Sequence, residues 1–200
     1  AAPPGLVALL DPADNPFSGG VADTPGLLRA LVAAGPPVET VLAPLHDPAT
    51  VELARAAGPG ATRRFTLCAR TTDAFGPPVE LDATVALLTE GRFVNSGPME
   101  RGSPMDLGAT CVLRAGLLRI IVTSRKEAAA DPAFFDLHGI DFAGVRLLAN
   151  KGKNHFRAAF AERCVAILEC DCPGPAALDL AALPFRHVPA AMLAPADAPP

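Results

Sequence analysis

The sequence predicts one α/β domain: a mixed β-sheet with flanking helices, parallel βαβ units at both ends of the chain and an antiparallel section in the middle. Three observations carry this. Short apolar runs alternate with capped helical patterns up to Gly58. Strand-like segments separated only by turns fill the middle. The alternation then resumes at Asp131. A chain of 200 residues, 50% hydrophobic and 19% charged, is long and apolar enough to bury one sizeable core.

The elements follow in order. Leu6 to Leu10 (LVALL) is a buried strand closed by Asp11-Pro12. A loop rich in Gly, Pro and Asp leads to Thr24, which is placed to cap a helix with Pro25 at its first position and Gly35 at its end. Val38 to Leu42 is the second strand, and Asp47-Pro48 opens a helix that stops near Gly58. Ala61 to Arg70, Val79 to Thr89, and two strands around Ala115-Gly116 make the middle section. Asp131-Pro132 caps a short helix ended by Gly139. Val145 to Ala149 is a strand, Asn154 caps a fourth helix, and Val165 to Cys170 is the last strand. Residues 1–188 form the expected domain, and 189–200 read as a Pro/Ala-rich flexible tail.

Composition narrows the function. A net charge of −4 argues against nucleic acid as a partner. Apolar runs are broken by Arg or Pro well before the ~18 residues of a membrane span, so no membrane is expected. There is no secretory signal pattern. Five cysteines, mostly in strand-like runs, read as reduced buried thiols of a cytoplasmic protein. Cys170-Asp171-Cys172 is a lone C-x-C pair and reads as structural. The first residue is not Met and an apolar run follows almost at once, so a piece of a longer protein is expected.

Two loops carry chemistry. "NKGKNHFRAAF" (Asn150 to Phe160) crowds Lys151, Lys153, His155 and Arg157 onto a helix start, where the helix dipole disfavours cations by roughly 0.3–1 kcal/mol each. Either this is a solvated basic turn, or the cluster holds a carboxylate or phosphate at a strand's carboxyl edge. The loop from Asp14 to Thr24 contains Asn15, Gly19, Gly20 and Asp23. It is either a backbone cradle presenting carboxylates or a long capped turn. It is not a P-loop, since no Gly-Lys-Ser/Thr follows. His46, His138, His155 and His187 are scattered, so no zinc site is expected within this chain. A serine hydrolase is disfavoured by the missing G-x-S-x-G.

Together, "DPADNP…GG…ADTPGLLRAL" and "NKGKNHFRAAF" resemble the C-terminal domain of the MlrC-type metallopeptidases, named for microcystin degradation. "LLTEGRF", "LGATCVLR" and "IIVTSRK" fall between them in the family's order. Phe17-Ser18 and Gly152 depart from the family pattern, which has glycine and serine there. The resemblance implies a zinc-dependent peptidase. Its zinc sits on an N-terminal domain, with a peptide as substrate, and this chain forms one wall of the cleft. It implies Asp14, Asp23 and His155 as candidate catalytic or orienting residues, and Asn15, Gly19, Gly20, Lys151 and Arg157 as substrate-binding ones. The isolated domain would be inactive. The alternatives are a non-catalytic docking domain, or a small-anion or phosphoester-binding domain of another enzyme class.

Overall fold

The computed structural model describes residues 5–180, 183–189 and 192. Most of the expected tail, 189–200, lies outside the described residues. The strands are β1 (Leu6–Leu10), β2 (Thr40–His46), β3 (Thr62–Leu67), β4 (Val79–Thr89), β5 (Arg92–Val94), β6 (Pro104–Asp106), β7 (Thr110–Ala115), β8 (Leu118–Thr123), β9 (Leu147–Asn150) and β10 (Cys164–Glu169). The helices are α1 (Gly26–Ala34), α2 (Pro48–Ala57), α3 (Pro132–Leu137) and α4 (Asn154–Phe160).

Eight strands form one mixed sheet in the order β10-β1-β9-β2-β8-β7-β4-β3. The pairs from β10 to β8 are parallel, and those from β8 to β3 are antiparallel. The two βαβ ends of the sequence therefore interleave in space as one parallel half. Burial explains why. In β2, Leu42 and Leu45 enter the core under α1 and α2, while Val41 and Ala43 enter the core under α3 and α4. A strand apolar on both faces is stable only with helices on both. On the α3/α4 side the bulk is aromatic: Phe135 meets Phe160 edge to face at 5.3 Å, and Phe156 stacks on Phe160 at 4.7 Å.

Four local expectations are corrected. The second strand does not stop at Leu42. It continues through Pro44 to His46, with a register irregularity between Leu42 and Leu45 that absorbs proline's missing N–H. Thr24 does not cap α1. Pro25 stands at the cap position, and the Thr24 hydroxyl is drawn to Asp14 instead. Asn154 is inside α4 rather than at its cap, which is Lys153 without a side-chain bond. The ribbon of β5 with β6 was not expected at all. The Asp47 and Asp131 caps are as read: each carboxylate accepts a backbone N–H of its helix's first turn, from Thr50 and Ala133.

Because the parallel strands point one way, their carboxyl ends share an edge. Asp11, Asp47, Ser124, Lys151 and Cys170 all emerge there. Open α/β sheets place ligands at that edge.

Candidate functional site

The loop after β1 is built around one carboxylate. Asp14 Oδ1 accepts the N–H groups of Val21 and Ala22, both at 2.8 Å. Its Oδ2 accepts Thr24 N–H and Thr24 Oγ1–H, also at 2.8 Å. Asn15 makes an Asx turn, its Oδ1 accepting Phe17 N–H at 3.1 Å while its Nδ2 donates to Ser18 Oγ at 3.0 Å. Gly19 has φ +87°, which glycine adopts without strain. Gly20 packs against the Asp14–Asn15 backbone so closely that a Cβ would stand 2.3 Å from the Asp14 carbonyl carbon. This fold of the loop lifts Phe17 to the surface, 49% exposed.

Asp23 faces away from that centre. Its Oδ2 accepts the N–H groups of Arg70 at 2.8 Å and Thr71 at 2.7 Å, tying the loop to the segment after β3. Its Oδ1 is buried without a hydrogen-bond partner among the described residues, and burial raises its carboxyl above the usual range. Arg70 in turn donates to Asp47 Oδ2 at 3.1 Å.

The loop after β9 supplies the counter-charge. Lys151 is fully buried. Its Nζ donates to Asp14 Oδ2 at 2.6 Å, to the Thr24 carbonyl at 2.8 Å and to Thr24 Oγ1 at 3.1 Å. Asp11 Oδ2 lies 3.7 Å away and accepts no hydrogen bond among the described residues. Burial disfavours the ammonium, but Asp14 and Asp11 together outweigh it and hold Lys151 above its ordinary pKa. The same burial drives Asp11 upward, against the pull of Lys151. Arg157 points elsewhere and pairs with Glu169 on β10 at 3.0 Å. His155 lays its ring on Phe17, centroids 4.5 Å apart.

The two motif loops thus meet, with Asp14, Asn15, Gly20 and Lys151 forming one unit. The expectation of a cationic cluster open to an anion is not what the geometry presents. Lys151 and Arg157 are both answered by the chain's own carboxylates. His155 makes no hydrogen bond or ion pair among the described residues, and it is only partly buried.

A cavity of about 240 Å³ opens beside His155. Phe17 and His155 line one side, and Phe93, Asn95, Met99 and Met105 of the β5–β6 ribbon line another. Asp131 fixes the ribbon's turn there. Its Oδ1 accepts Ser96 N–H at 3.0 Å and its Oδ2 accepts Gly97 N–H at 2.8 Å, beside the α3 cap bond. Sequence reading missed this wall. The available signal was the pair of turn clusters, Ser96-Gly97-Pro98 and Gly102-Ser103-Pro104, with short apolar runs on either side.

The family model for the MlrC C-terminus matches residues 9–187, which takes in both loops and the ribbon. The chain belongs to the MlrC C-terminal family. Among curated relatives, Microcystinase C of Sphingomonas sp. is 30% identical over 157 residues, covering 78% of this chain and 30% of that protein. Among solved structures, a protein of Mesorhizobium sp. BNC1, provisionally named a metallopeptidase, superposes with a TM-score of 0.81 at 31% identity. That match covers 92% of this chain and 37% of the other. The MlrC C-terminal chain therefore spans about a third of the length of these relatives. Among its described residues, no group of three or more His, Cys, Asp or Glu side chains is placed to hold a metal ion. Nor is any described helix long and apolar enough to cross a membrane.

Proposed function

We propose that this MlrC C-terminal chain forms one wall of the substrate cleft in a zinc-dependent peptidase whose metal is held by a preceding domain. One observation carries the reading. The Lys151–Asp14 contact fastens both motif loops at the sheet's carboxyl edge and thereby sets Phe17 and His155 beside an open cavity. The names and lengths of the relatives support the peptidase class and the further domain.

The side chains divide by what they touch. His155 is the group that meets the peptide substrate, hydrogen-bonding it from an imidazole nitrogen left unengaged among the described residues. Asp14, Asn15, Gly19 and Gly20 shape the loop that carries Phe17. Asp23 anchors that loop to Arg70 and Thr71. Lys151 is a positioning residue, and Arg157 ties α4 to β10.

In the full-length protein, His155→Ala is expected to lower kcat/KM at least tenfold while leaving zinc content and thermal stability unchanged. A docking role is the second reading, favoured by the self-neutralised Lys151 and Arg157. It predicts unchanged turnover by His155→Ala, with weaker association between the domains. The small-anion reading is weakened at Lys151 and Arg157, which are paired internally, and would rest on Lys153 and His155.

A further inference from the structure

The cavity beside His155 has a chemistry that the Lys151 clamp lacks. Its walls are apolar and partly bare: Phe17 is 49% exposed and Met99 48%. Engineered apolar cavities of about 150 Å³ take a benzene ring. At about 240 Å³ this one has room for a ring with a short arm.

Its polar groups are oriented one way. Glu100 lines the cavity with its carboxylate exposed. Asn95, only 6% exposed, donates from Nδ2 to Glu100 Oε2 at 3.4 Å, and its Oδ1 accepts no hydrogen bond among the described residues. Asp131 also lines the cavity, but its oxygens are taken by the Ser96, Gly97 and Ala133 amides. Glu127 stands close enough for burial and then the Glu100 charge to raise its carboxyl above the usual range. The nearby cation, Arg125, is engaged by Asp106 at 2.9 Å. An acceptor amide and the Glu100 carboxylate, which has no ion-pair partner among the described residues, therefore border an apolar, ring-sized space.

We propose that this cavity binds an apolar group bearing an ammonium nitrogen, with the apolar part between Phe17, Phe93 and Met99 and the ammonium at Glu100 and Asn95 Oδ1. Rings and thioethers favour such a cation as well as its hydrocarbon. The inference rests on the cleft-wall reading. On that reading, the cavity selects peptides that carry an amine beside an apolar residue.

The chain has no Trp and no Tyr, so indole probes can be read without background fluorescence. The whole chain is titrated with tryptamine, neutral N-acetyltryptophanamide and anionic indole-3-propionate, following blue shift and anisotropy. Tryptamine is expected to bind about fivefold tighter than the neutral amide, the size of one solvent-exposed ion pair, and the anion weakest. Glu100→Gln should erase the preference for tryptamine while leaving the neutral amide's affinity in place. Met99→Ser, at a half-exposed site, should weaken all three probes without risk to the ribbon's fold.

Equal affinity for the three probes, no binding at millimolar concentration, or a preference that survives Glu100→Gln overturns the proposal. The two readings separate cleanly. Probe binding as described, with turnover by the full-length protein indifferent to an amine on the peptide, leaves the pocket standing and removes the cleft wall. Turnover that depends on His155 with no probe binding does the reverse.

Discussion

Lys151 Nζ and Asp14 Oδ2 are 137 residues apart in sequence and 2.6 Å apart in space, both without solvent exposure. Truncating one partner of a buried pair leaves the other charge uncompensated, at roughly 3–5 kcal/mol. Lys151→Met is therefore expected to destabilise the chain by that amount, since Asp11 and Asp14 would then share a dry site without a cation. Urea unfolding checks it. Adding Asp14→Asn to Lys151→Met should recover part of the loss, and a cycle with no coupling would refute the clamp.

His138 gives a pH dependence of definite sign. It is 2% exposed, with Nδ1 at 2.6 Å from the Phe134 carbonyl and Nε2 at 3.0 Å from Thr110 Oγ1. Burial pushes its pKa down from 6.5 to about 4. The unfolded chain takes up the proton near 6.5 and the folded one only near 4. The contribution is complete above pH 6.5 and is lost as the pH falls toward 4, by about 3 kcal/mol in all. The difference in unfolding free energy between pH 7 and pH 4.5 should shrink in His138→Gln.

Gly20 is a steric requirement. A methyl group there would stand 2.3 Å from Asp14 C and 2.5 Å from Asn15 N, both backbone atoms that cannot swing away. Gly20→Ala should cost about 1–3 kcal/mol, as overpacking does. It should also displace Phe17 from His155, which the NMR shifts of the His155 ring protons would report.

Asp131 holds two structures at once, the α3 cap and the turn of the β5–β6 ribbon. Asp131→Ala loses a cap worth ~1 kcal/mol and leaves the Ser96 and Gly97 amides without an acceptor. A total loss of about 2–3 kcal/mol is expected. Hydrogen exchange should quicken at Ser96 and Gly97 as well as at Ala133. Faster exchange at Ala133 alone would show that the ribbon does not depend on this carboxylate.

The residues themselves explain what was legible. The strands Leu6–Leu10 and Val79–Thr89 were read to the residue, because apolar runs between turn signals have few alternatives. Asp47 and Asp131 announced their helices because Asp-Pro at a helix start satisfies an amide and fixes φ together. Both motif loops were found, but not the role of Lys151. A lysine in a polar, glycine-containing loop looks solvated, and nothing local reveals that the carboxylate Asp14 waits at the far end of the chain. Thr24 was misread for the same reason: its hydroxyl answers a tertiary partner rather than its own helix. The ribbon went unseen because three-residue strands carry too few positions for a period to emerge.

The strand order has a consequence for how the chain is made. β1 lies between β10 and β9, so both of its neighbours come from residues 147–169. During synthesis on a ribosome, LVALL would leave the tunnel long before either neighbour exists. Pairings this distant fold slowly and leave sticky backbone waiting. A nascent chain stalled before Leu147 should therefore be a good client for chaperones, and release of the last strands should be the event that lets it go.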